Sequence, residues 1–90
     1  MIYKSKDGDI DLDKITRLYP AGVVDAHGDI AEMSLEWCDM SGDKVEIIEY
    51  VLVFDFTLAN VEVKDRKVLH FSSKDELIET MTEVAQFFQD

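Results

Sequence analysis

The clearest periodicity in the chain lies near its C-terminal end. Leu77, Ile78, Met81, Val84, Ala85 and Phe88 recur at helical spacing, while Glu79, Thr80, Thr82, Glu83 and Gln86 fall on the opposite side. Phe87 lies beside the stripe and widens it. Ahead of it, Ser73-Lys74-Asp75-Glu76 has the form of a capping box, in which a hydroxyl and a carboxylate satisfy amides orphaned at a helix start. Asp75 and Glu76 also suit the positive end of the helix dipole. The pattern predicts a helix over about 73–89 that needs a sheet to cover.

The rest of the chain alternates with a period of two. Ile2-Tyr3-Lys4 reads as a first strand, followed by a loop at Asp7-Gly8-Asp9. From Ile10 to Tyr19 two periods compete; one helical turn around Asp11 to Lys14 and a strand from Ile15 to Tyr19 reconcile them. Val23 to Ala26 and Asp29 to Ala31 form a hairpin, with Gly28 supplying positive φ at its turn. Ala31, Met33, Leu35 and Trp37 then alternate with Glu32, Ser34 and Glu36, which predicts a half-buried strand. After a turn from Asp39 to Lys44, Val45 to Leu58 is the longest extended segment. Ile48, Tyr50, Leu52, Phe54 and Phe56 share one face; Val45, Ile47, Val51 and Val53 share the other, interrupted by Glu49 and Asp55. Apolar residues on both faces mark a central strand. Residues 60–64 and 67–71 read as a further hairpin turning at Asp65-Arg66. The expected core holds Met33, Leu35, Trp37, Tyr50, Leu52, Phe54, Leu77, Ile78, Met81, Val84 and Phe88.

The elements add up to an α+β fold: roughly six or seven strands in a mostly antiparallel sheet, strongly bent or barrel-like, covered by one C-terminal helix. That element order resembles the pleckstrin-homology-like arrangement, in which a terminal helix plugs a bent antiparallel sheet. An open sheet with the helix on one face fits the order equally well. The chain departs from the family in its only tryptophan, Trp37, which falls in a predicted strand rather than a helix. It departs again in Lys4 and Lys6, which face Asp7, Asp9, Asp11 and Asp13 where lipid-binding members carry a basic hairpin.

Ninety residues make a single domain, 1–90, with 47% hydrophobic content and enough aromatics to exclude disorder. Twenty acidic against nine basic residues give a net charge of -11, spread evenly along the chain. Such a surface cannot neutralise phosphates, so nucleic acid and anionic membranes are not expected partners. The expected partner is a protein with a basic surface. The single cysteine, Cys38, allows no internal disulfide, and the first residues lack the apolar core of a signal peptide. A cytoplasmic location follows as the expectation.

Candidate chemistry is sparse. Asp7-Gly8-Asp9-Ile10-Asp11-Leu12-Asp13 invites a calcium reading, but Leu12 or Lys14 falls where an EF-hand needs glycine, and Leu18 or Pro20 where it needs glutamate. His27, beside the turn glycine, and His70, between Leu69 and Phe71, lack any metal-ligand spacing. Cys38 precedes Asp39, which disfavours a thiolate. Glu32 and Glu36, with Glu46 and Glu49 on the segment expected to pair with them, could do acid–base work only in a pocket; alternation puts the first two on a wet face. Glycines at 8, 22, 28 and 42 fall one to each predicted turn and form no phosphate loop, and no nucleophile elbow is present. The expectation is a small acidic, non-catalytic protein-interaction module with no cofactor and no metal. Its candidate surface is Asp7, Asp9, Asp11, Asp13, Glu32 and Glu36. Two alternatives stand beside it: an acidic inhibitor that imitates nucleic acid before a basic protein, and a small enzyme or ligand-binding domain whose site carries no familiar motif.

Overall fold

In the computed structural model, which describes residues 1–42, 44–58, 60, 62 and 65–88, the first two strands form a separate hairpin. β1 (Ile2–Ser5) pairs with β2 (Gly8–Asp11) through a turn at Lys6 and Asp7, with Gly8 at φ 122°. The predicted loop at Asp7 to Asp9 is therefore shorter, and Asp9 belongs to β2. Alternation along the two short strands turns Tyr3 and Ile10 inward. Leu12 follows them in a 3-10 turn (Leu12–Lys14), where Asp11 Oδ1 accepts from Asp13 N at 3.1 Å. The helical turn expected around Asp11 to Lys14 is thus present.

The main sheet has the order β4-β3-β5-β6, all antiparallel. β3 (Arg17–Ala26) runs straight through Pro20 and joins two strands that the sequence pattern separates. It turns at His27 and Gly28, φ 57° and 91°, a two-residue loop of the type whose twist matches a hairpin. β4 (Asp29–Met33) follows, and β5 (Glu46–Asp55) crosses the centre of the sheet. Val51, Leu52, Val53 and Phe54 are all buried there, as apolar residues on both faces require. Arg66, expected in a turn, instead opens β6 (Arg66–Phe71) opposite Asp55. The strand expected at 60–64 lies largely outside the described residues.

Among the described residues the antiparallel α+β fold has six strands in two sheets, neither of them closed or barrel-like, so the single barrel-like sheet and the pleckstrin-homology-like arrangement do not hold. A second helix also interrupts the strand order. The run from Ser34 to Trp37 is not strand: Ser34 caps α1 (Leu35–Ser41), its Oγ accepting from Trp37 N at 3.1 Å. Leu35 and Cys38, three residues apart, face inward, so the segment satisfies a helical period as well as an alternating one. Packing decides between them. A β-carbon on Gly22 of β3 would lie 2.5 Å from Cys38 Sγ, so α1 sits directly on the strand backbone. Gly22 is thus a packing glycine within β3, not a turn residue.

α2 (Lys74–Gln86) starts at the predicted cap, with Ser73 Oγ accepting from Glu76 N at 3.2 Å, and ends three residues short of the predicted limit. The Glu76 carboxylate lies 3.5 Å from Ser72 Oγ. Leu77 and Val84 are fully buried against Leu52, Phe54, Leu69 and Phe71, together with Tyr3, Ile10 and Leu12 from the hairpin. Full burial of one such side chain contributes about 1.5–3 kcal/mol. The hairpin share of this core lies outside the expected set, and part of the expected set is missing from it. Ile78 and Phe88 are 45% and 51% exposed, and Met33 and Trp37 are only half-buried. The opposite face of the sheet holds a second cluster, Ala21, Val51 and Val53, with Tyr19, Val23 and Val68 packed against it.

Candidate binding groove

The apolar stripe of α2 is wider than the surface it covers. α2 lies over β5 and β6, beside the hairpin, so its opposite flank looks along β3 with no further element above it among the described residues. There Met81, Ala85 and Phe88 line a groove of about 330 Å³ with Leu18 and Pro20 of β3 and Leu52 of β5. The six described residues that line it are all apolar. Leu18 is 36% exposed, and Ile78 continues the same flank toward the start of α2. Leaving Leu18, Ile78 and Phe88 half in water forgoes roughly 1 kcal/mol each of the stabilisation that full burial provides.

The groove opens onto a free strand edge. β5 pairs with β3 from Arg17 to Asp25, whereas β4 pairs only with Gly22 to Ala26. Beyond Met33 the chain is turned away by the Ser34 cap into α1. Residues 17–21 of β3 therefore have a neighbour on one side alone among the described residues. The two-residue turn makes Ala26 and Asp29 a hydrogen-bonded pair, so even-numbered residues of β3 direct their backbone groups toward β4. Carried back along the strand, this alternation points Leu18 N–H and C=O, and Pro20 C=O, out of the free edge. Pro20 fits there because its nitrogen faces the free edge, so the missing hydrogen costs no ladder bond with β5.

The acidic residues singled out from the sequence do not form one surface: Asp7, Asp9, Asp11 and Asp13 lie on the first hairpin and the 3-10 turn after it, Glu32 and Glu36 on other elements. Asp7 is at the hairpin tip, next to β6, where Lys67 Nζ donates to its carbonyl at 3.1 Å. Asp9 is exposed on β2, and Asp11 and Asp13 flank the 3-10 turn, Asp13 bonding the N-terminal amine. Glu32 sits on β4, at the other edge of the sheet from β6, and Glu36 in the first turn of α1. Glu32 and Glu36 do not share a strand face, because the chain changes from strand to helix between them. Glu46 and Glu49 pair with β3, not with β4. Among the described residues no three His, Cys, Asp or Glu side chains gather as a metal site.

The remaining polar groups hold the fold together. His70 Nδ1 lies 2.8 Å from Glu49 Oε1 across β5 and β6, and His27 is exposed in its turn. Asp55, 5% exposed, is held below the usual carboxylate range by its bonds to Thr57, whose amide donates to Oδ1 at 2.9 Å, and by Arg66 and Arg17. Arg66 Nε is 3.5 Å from Oδ2. Burial, then Asp39, pushes the Cys38 thiol up, which disfavours the thiolate. Lys74 Nζ grips both Asp39 oxygens at 2.7 and 2.9 Å, tying the start of α2 to α1. Tyr3 OH donates to Glu83 Oε2 at 3.1 Å beside a smaller cavity of about 190 Å³, lined also by Lys4, Lys6 and Thr80. Burial is the main cause that raises the Tyr3 hydroxyl above its ordinary range, and Glu83 adds to it. Lys6 lies 4.0 Å above the Phe71 ring and donates to the His70 carbonyl, so the hairpin clasps the outer edge of β6.

In the sequence the whole helix stripe reads as core, so the groove is not legible there. The excess of stripe over coverable sheet was its only trace. Among the described residues no helix is long and apolar enough to cross a membrane. No protein-family model matches the chain, and neither the curated proteins nor the solved structures include a significant match.

Proposed function

We propose that this chain is a small acidic, non-catalytic protein-interaction module that receives its partner in the groove between α2 and β3. The observation that carries the reading is the exposed apolar flank of an otherwise well-anchored helix: Ile78, Met81, Ala85 and Phe88 beside Leu18. Among the described residues the lining offers no polar side chain to orient a small ligand, which favours a protein segment over a metabolite. The net charge of -11 steers the module toward basic partners and away from other copies of itself. A photo-crosslinking side chain at Leu18, compared with one at Glu79 on the outer face of α2, tests the reading in native extract. Discrete adducts from position 18 that vanish in an Ala85→Trp background support it. Equal adducts from both positions, or none from position 18, refute it.

A further inference from the structure

Resting on that reading, we infer that the partner binds as an added β-strand: an extended segment, apolar at alternate positions and flanked by Lys or Arg, pairing with Arg17–Ala21 of β3 in line with β4. Two independent features meet at this place. The free edge offers Leu18 N–H, Leu18 C=O and Pro20 C=O, and among the described residues no hydrogen bond from another element reaches them. The groove lies on the helix-bearing side of the same strand, where Leu18 and Pro20 alternate with Tyr19 and Ala21 on the other side. An incoming strand would therefore gain backbone bonds from the edge and a slot for every second side chain from the groove. This is the division between affinity and specificity that strand addition uses.

The geometry also limits the occupant. Pro20 removes one donor, so an added strand bonds at Leu18 and accepts no N–H from residue 20. A helix laid in the groove would leave the backbone edge unused. Between two copies of this chain, each carrying -11, repulsion opposes pairing, whereas basic flanks on a foreign segment are drawn in. Arg17 does not spoil this, since its guanidinium lies 5.0 Å from the Tyr19 ring on the face away from the groove.

The probe is a blocked nonapeptide, KKLTVTLKK, titrated at low salt and followed by the amide resonances of the full chain. Saturable binding is expected, with Leu18 N–H newly protected from exchange and the largest shifts along residues 17–21 and 81–88. N-methylation of the peptide at the residues pairing with Leu18 should weaken it at least tenfold, and so should Ala85→Trp, which fills an exposed helix position without touching the core. An acid-flanked peptide, EELTVTLEE, should bind at least tenfold more weakly than KKLTVTLKK, and the gap should close in high salt. If the N-methylated peptide binds equally while Ala85→Trp loses it, the groove stands and strand addition is wrong. If no peptide saturates, or Ala85→Trp changes nothing, both readings fall. Leu18 protection in the free chain that grows with protein concentration would mean that a second copy is the occupant and would overturn the foreign partner.

Discussion

Gly22→Ala offers a test in which even the sign of the stability change is informative. In an ordinary strand position, replacing glycine by alanine stabilises by about 0.4–1 kcal/mol, because the unfolded chain loses freedom. Gly22 has no left-handed backbone to protect, so this gain would apply if nothing stood nearby. Here the new β-carbon would come within 2.5 Å of Cys38 Sγ, closer than real carbons approach sulfur. Cys38 is buried in α1, so relief requires the helix to shift or the side chain to leave its rotamer. Overpacking of this kind costs about 1–3 kcal/mol. For a domain of this size, about 2 kcal/mol corresponds to a melting temperature lower by about 8–16 °C. Thermal unfolding by circular dichroism reads it, and Cys38→Ala supplies the control. In that background Gly22→Ala should become neutral or stabilising, a coupling of at least 1 kcal/mol in the double-mutant cycle. A higher melting temperature for Gly22→Ala alone, or strict additivity with Cys38→Ala, would show that α1 does not lie on β3.

Other outcomes are equally open to measurement. Leu77→Asp should unfold the protein by burying an unpaired charge, while Ile78→Asp, on the half-exposed groove flank, should cost only about 1 kcal/mol. Comparable losses at both would remove the groove. Ser73→Ala should cost about 1 kcal/mol in urea unfolding through loss of the α2 cap, and an unchanged midpoint would contradict the cap. Because the Asp55 carboxyl is depressed in the folded state, its contribution is complete above the unfolded value near 3.9 and is lost as pH falls through the lower folded value. Asp55→Asn should therefore flatten the acid limb of stability below about pH 4, and a limb identical to the parent would exclude that role. Moderate salt should raise the melting temperature by screening self-repulsion over a Debye length of about 10 Å at 0.1 M, and a fall would contradict it.

Local chemistry by itself determined the elements whose signals lie within a few residues. The Ser73 cap and the stripe from Leu77 onward are such signals, as are the turn at His27-Gly28 and the two-faced apolar run of β5. Each needs only its own turn or its own period, so each was legible. Other features depend on partners distant in the chain, which no local period encodes. Ser34 to Ser41 carries both a helical and an alternating pattern, and the close approach of Cys38 to Gly22 selects the helix. The hairpin of Tyr3 and Ile10 enters the core only because its side chains meet Phe54 and Leu69, tens of residues away. Which flank of α2 is buried depends on where the hairpin lies, and the free edge at residues 17–21 depends on β4 ending at Met33. Burial and edge exposure belong to pairs of elements, so the groove and its open strand came into being only when the sheet, the hairpin and the two helices were assembled.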